Sequence, residues 1–137
     1  MFGGPWTQAS RRLARLSPVA TKTQKLALAL AVLQAADAVA CGVPVGFIKS
    51  DLDRLSCPPP LQRVLPVVKG SAAVGLLVGL KARRLGVLTS GALVGYFACA
   101  IGFHLRAGDK PIRALPAAAL GAAAAVTLLR VYSPPEA

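Results

Sequence analysis

Two formal charges stand deep inside apolar stretches of this chain, Asp37 and Lys69. Asp37 is twelve residues from both Lys25 and Lys49, and Lys69 is twelve residues before Lys81. At a helical rise of 1.5 Å per residue, each lies roughly 18 Å from the basic residues at one shared end. On sequential antiparallel helices the two charges fall at the same depth. A charge near the middle of a bilayer costs about 2.5–3.5 kcal/mol, and pairing reduces that cost. Three readings follow: a functional intramembrane ion pair or proton-handling site; a buried pair that fixes helix register; or a Lys69 that snorkels past Arg63 beside a protonated Asp37.

A second group is His104, Arg106 and Asp109. His104 lies about 30 Å along its helix from Arg84, at the opposite interface. A histidine there can handle protons or bind a headgroup, because it titrates near physiological pH. It can equally just mark the end of a span. Cys41 and Cys99 come out at matched depths and Cys57 falls in a loop. Without a CxxC pair, and with one histidine, no metal site is expected. Buried cysteine as a small apolar filler is the commoner role.

These residues need elements to hold them. Of 137 residues, 55% are apolar and 15% charged, too little polar surface for a soluble domain. The charges gather in short clusters between stretches of bilayer-crossing length. The expected fold is all-α, a transmembrane four-helix bundle running up-down-up-down. Residues 1–25 form a basic N-terminal tail, 26–131 the membrane domain and 132–137 a short polar tail. The expected spans are 26–48, 64–80, 85–105 and 112–131. The loop 49–63 carries Pro58-Pro59-Pro60, which reads as a stiff polyproline connector. The links after the second and third spans are a few residues long and force antiparallel neighbours.

Small residues recur every four positions: Ser71, Gly75 and Gly79 in the second span, Gly91 and Gly95 in the third, Gly121 and Ala125 in the fourth. Such faces let helix backbones approach in lipid, within the bundle or against another subunit. The net charge of +11 would suggest nucleic acid in a soluble protein. Here the cations sit at span ends, aromatic content is 5%, and no basic patch has interleaved aromatics, so a lipid bilayer is the expected partner and nucleic acid is not. Nine basic residues fall on the side of the N-terminal tail and 81–84 loop, against six on the other. The positive-inside rule then puts both termini in the cytoplasm.

Ser10-Arg11-Arg12 and Ala38-Val39-Ala40-Cys41 together have the order of a twin-arginine signal with a cleavage site or lipobox. Asp37 just before that site, and an apolar run reaching Ile48, favour a retained span.

From Leu65 onward the chain resembles the DoxX-like family of small bacterial membrane proteins. The resemblance rests on Leu65-Pro66 with Lys69, the run from Ala72 to Leu80, Leu85-Gly86 with Leu88-Thr89, Tyr96-Phe97, and above all His104-Leu105-Arg106-Ala107-Gly108-Asp109. It extends over about residues 26–130. It implies a four-helix domain in the bacterial cytoplasmic membrane, and makes His104, Arg106 and Asp109 family-signature positions. The family takes its name from a subunit of a quinone-linked thiosulfate oxidoreductase. Many relatives carry an acidic residue where Lys69 stands here, so a shared redox role does not transfer.

The leading functional reading is an accessory or structural subunit of a membrane complex, associating with other subunits or itself, with no cofactor evident. The alternative is a quinone-linked redox subunit or enzyme using Asp37, Lys69 and His104. A small transporter or proton pathway is the third, weakened by the lack of an inverted repeat.

Overall fold

Long runs of Leu, Ala and Val broken by few helix-stoppers give helices, and helices satisfy their own backbone where no water is present. A computed structural model describes residues 5–43 and 46–133, with side chains from Lys22. The helices are α1 (Pro5–Gly42), α2 (Gly46–Arg54), α3 (Pro59–Gly79), α4 (Arg83–Arg106) and α5 (Pro111–Thr127), which ends in a five-residue π-helical turn, Leu128–Tyr132. No strand occurs among the described residues. Among the described residues four segments are long and apolar enough to span a bilayer: Lys22–Gly42, Pro59–Gly79, Arg83–Arg106 and Pro111–Tyr132.

The expected all-α four-helix architecture holds, and its boundaries shift. The first span stops at Gly42, not at residue 48, and Phe47 and Ile48 belong to the separate helix α2. The proline triplet is only partly a connector. Pro58 is extended, with φ −58° and ψ 140°, while Pro59 and Pro60 form the first turn of α3. The first-turn N–H groups of a helix have no partner in any case, so proline loses nothing there. The second span accordingly begins five residues earlier than expected. The helical backbone of α1 reaches back to Pro5, through most of the basic lead-in. The side chains of Arg11, Arg12 and Arg15, and the tail residues 134–137, lie outside the described residues.

Neighbouring helices run antiparallel, as their facing residues show. Ala38 faces Gly70 and Gly42 faces Pro66; Gly75 faces Thr89 and Gly79 faces Gly86; Gly121 faces Phe97 and Gly86 faces Tyr132. The core gathers Leu30 and Ala31 from α1, Ala72 and Leu76 from α3, Leu93 and Phe97 from α4, Ala124 from α5, and Tyr132. Outside it the long helices present large apolar side chains: Val32 is 67% exposed, Leu88 70% and Ile112 67%. A soluble protein buries such surface; here the surrounding lipid covers it. The protein is a multi-pass membrane protein.

The α3–α4 hairpin is the tightest crossing. A Cβ on Gly79 would lie 2.5 Å from Gly86 Cα, and one on Gly86 would lie 2.3 Å from Tyr132 Cδ1. The Tyr132 hydroxyl donates to the Leu76 carbonyl at 2.5 Å, and Arg83 Nε donates to the Tyr132 carbonyl at 2.6 Å. This end of the bundle is closed by backbone proximity and one aromatic ring.

Candidate functional site

The register that sets Ala38 against Gly70 also sets Asp37 against Lys69. Lys69 Nζ lies 2.5 Å from Asp37 Oδ2, with the side chains 10% and 28% exposed respectively. Cys41, one turn beyond Asp37, joins them: its Sγ is 3.5 Å from Lys69 Nζ and 3.7 Å from Asp37 Oδ1. The Tyr96 ring of α4 lies against the ammonium, with its centroid 5.8 Å away. Carboxylate, ammonium, thiol and aromatic ring thus meet inside the bundle. Such a cluster holds an ion pair away from lipid and can exchange a proton between its members.

One turn before Asp37, Gln34 is fully buried, and neither its Nε2 nor its Oε1 has a hydrogen-bond partner. Ser90 of α4 is buried in the same condition. Sequence reasoning missed both. The signal was present for Gln34, because Gln34, Asp37 and Cys41 follow i, i+3, i+7 spacing and share a helix face.

The second group assembles at the other end. Helix α4 ends at Arg106, and Gly108, at φ +67°, takes the left-handed conformation that a helix stop of this kind requires. The Gly108 N–H then donates to Leu105 O and the Asp109 N–H to His104 O, the paired bonds of a Schellman cap. This turn folds Asp109 back over His104, whose Nδ1 lies 2.7 Å from Asp109 Oδ2. Arg54 of α2 pairs with the other carboxylate oxygen and also reaches Asp51 at 2.6 Å. Asp109 is thereby held below the usual carboxylate range, first by the hydrogen bond from His104 and then by Arg54. The Arg54 guanidinium is held above its ordinary value, chiefly by Asp51.

Of the expected trio, then, His104 and Asp109 meet and Arg106 does not; it is exposed. Residues two apart on a helix point about 200° apart, so Arg106 cannot share the face of His104. The cation that completes the group is Arg54, 55 residues away from Asp109 in sequence, for which no local signal exists.

Between α2, α3 and α4 lies a cavity of about 370 Å³ lined by Leu52, Leu65, Phe103, Tyr96, His104 and both Cys57 and Cys99 among others. Tyr96 therefore touches both assemblies. His104 reaches this cavity, whereas Asp37 and Lys69 do not line it.

The small-residue positions divide. Gly75 and Gly79 lie in the α3–α4 crossing, where a Cβ on Gly75 would sit 2.3 Å from Thr89 Oγ1. Ser71 is exposed, and Cβ atoms on Gly91 or Gly95 would meet nothing within 4 Å. All three are exposed, so the chain itself leaves them uncovered. A Cβ on Gly121 would lie 3.0 Å from Phe97 Cβ. The three cysteines are free thiols, with Cys41 and Cys99 in separate surroundings.

A family model described as the DoxX-like family matches residues 25–127. Searches of curated proteins and of solved structures return no match. Because the family match runs from the membrane-spanning part of α1 to the last residue of α5, the chain belongs to the DoxX-like family.

Proposed function

We propose that the protein is an accessory subunit of the bacterial cytoplasmic membrane, with both termini in the cytoplasm, that binds a transmembrane helix of another subunit. The observation that carries this reading is the unused small-residue surface. Gly91 and Gly95 expose bare backbone on α4. Beside them, α3 and α4 diverge from their crossing to leave an open apolar groove lined by Gly70, Ser71, Gly75 and Ala92 among others. Small residues on a lipid face lose dispersion contacts that a close-packed partner helix restores. The charge distribution supports the orientation. Nine Lys and Arg residues fall on the side of the N-terminal tail and the 81–84 loop, against six on the other, and the richer side is the cytoplasmic one under the positive-inside rule.

The test is co-purification in mild detergent with the Gly91→Leu/Gly95→Leu double variant. Neither side chain meets anything within the chain, so stability stays within about 0.5 kcal/mol of the parent. Association with a stoichiometric partner falls at least severalfold. Partner retention at the parental level would sink the reading.

A second reading, a quinone-linked redox or proton-handling role, is favoured by one observation: Cys41 and Tyr96 close around the Asp37–Lys69 pair. A buried structural pair needs neither a thiol nor a phenol beside it. Quinone extracted in stoichiometric amount with the purified protein, and lost in Lys69→Met, is the result this reading requires.

A further inference from the structure

The cavity beneath α2 has a chemistry of its own, although its wall shares Tyr96 with the docking groove and with the Asp37–Lys69 pair. Its wall is mostly aliphatic and aromatic, with Leu52, Leu55 and Leu65 facing Phe103 and Tyr96 across it. No lysine, arginine or carboxylate lines it. At about 370 Å³ it falls at the small end of ligand-site volumes. A charged molecule would lose its hydration there without a counter-ion, and a lipid would not fit.

The most polar group in the wall is His104, which is only 8% exposed. Its ring nitrogens differ. Nδ1 is bonded to Asp109, a carboxylate that the Arg54 guanidinium also holds. A carboxylate only accepts, so Nδ1 carries the proton and donates. In the neutral imidazole Nε2 is then left as the acceptor, without a hydrogen-bond partner among the described residues. The Schellman turn through Gly108 fixes this tautomer by fixing where Asp109 sits. An acceptor inside an apolar, ring-lined cavity calls for an uncharged ligand with a hydroxyl donor.

We propose that the cavity between α2, α3 and α4 binds a small phenolic molecule, with its ring between Phe103 and Tyr96 and its hydroxyl donating to His104 Nε2. Asp109 is a positioning residue in this site. It acts through the imidazole and does not touch the ligand. The exposed Cys99 and Leu61 in the lining give the ligand a route from the surrounding lipid.

The experiment uses the full chain in phosphatidylethanolamine/phosphatidylglycerol nanodiscs, with fluorine NMR of 4-fluorophenol and of 4-fluorotoluene, which replaces the hydroxyl by a methyl group of similar size. Binding is read as the saturable shift beyond that in empty discs. 4-Fluorophenol is expected to saturate, and 4-fluorotoluene to bind at least about tenfold more weakly, because it leaves the acceptor unpaired. Asp109→Asn frees the imidazole to change tautomer and brings the ratio of the two probes toward one. In the parent protein, saturating 4-fluorophenol also slows alkylation of Cys57, which lines the cavity, and leaves Cys41 unaffected. Equal and non-saturating shifts for both probes, or full Cys57 reactivity at saturation, would overturn the proposal without recourse to any variant. A probe ratio unchanged in a folded Asp109→Asn protein would overturn the role of His104.

Discussion

At one end of the bundle the helices meet backbone to backbone; at the other they are held apart and fastened by side-chain charges. The basic end has Gly79 against Gly86, with the Tyr132 ring over Gly86 and its hydroxyl on the Leu76 carbonyl. The mixed-charge end has Arg54 bridging Asp51 and Asp109, with His104 behind them and a cavity beneath. The same two helices, α3 and α4, take part in both. They approach closely at Gly79 and Gly86, while toward the other end the groove and the cavity are lined by residues of both helices. Stability and the capacity to bind a small molecule are thus divided between opposite ends of a single hairpin.

The comparison breaks most sharply at Gly86. Gly86→Ala puts a methyl group 2.3 Å from a Tyr132 ring carbon and is expected to destabilise by about 3 kcal/mol in detergent unfolding. Tyr132→Ala in the same chain removes the clash and recovers part of that loss. Parental stability in the Gly86→Ala variant would mean that the basic end is not closed by backbone contact.

Between the two ends, the Asp37–Lys69 pair asks whether fastening by charge extends into the membrane. Asp37→Asn or Lys69→Met leaves one partner unmatched and is expected to cost about 2 kcal/mol. The double variant should cost less than the sum of the singles. Strict additivity would show that the two groups are not coupled.

The smallest effect separates the ends by pH. Asp109 is held below its unfolded value, so its contribution is complete above the usual carboxylate pKa, about 3.9, and is lost as pH falls through the lower folded value. The melting-temperature difference between the parent and Asp109→Asn should close as pH falls below about 4. A difference that closes already at pH 6 would assign it to another group.

The four spans were legible because hydropathy and charge segregation survive errors of several residues. Their ends were less so, since an apolar run does not reveal where a helix stops and another begins, as at Gly42 and Gly46. The match in depth of Asp37 and Lys69 could be read from spacing alone, because antiparallel helices share one rise per residue. The company they keep was not fully legible. Cys41 lies one turn from Asp37 and could have been found, but Tyr96 arrives through the rotation of α4, which no spacing encodes. His104 and Asp109 were found from their place at the span end and the family signature order, the helix stop at Gly108 is what brings them together, and Arg54 was missed because it is distant in sequence. Among the glycines, periodicity marked Gly75, Gly79, Gly91 and Gly95 alike; only the crossing distinguishes those that are buried.

The separation of Asp37 and Lys69 by 32 residues also bears on how the chain enters the membrane. Asp37 is synthesised first and arrives in the bilayer with no counter-ion, on a helix that is less readily retained for carrying it. Its partner comes only with the following span. Each of the two segments is therefore a poorer insertion sequence alone than both are together, because each carries an unpaired charge until the other arrives. The first half of this protein is a unit of biogenesis before it is a unit of structure.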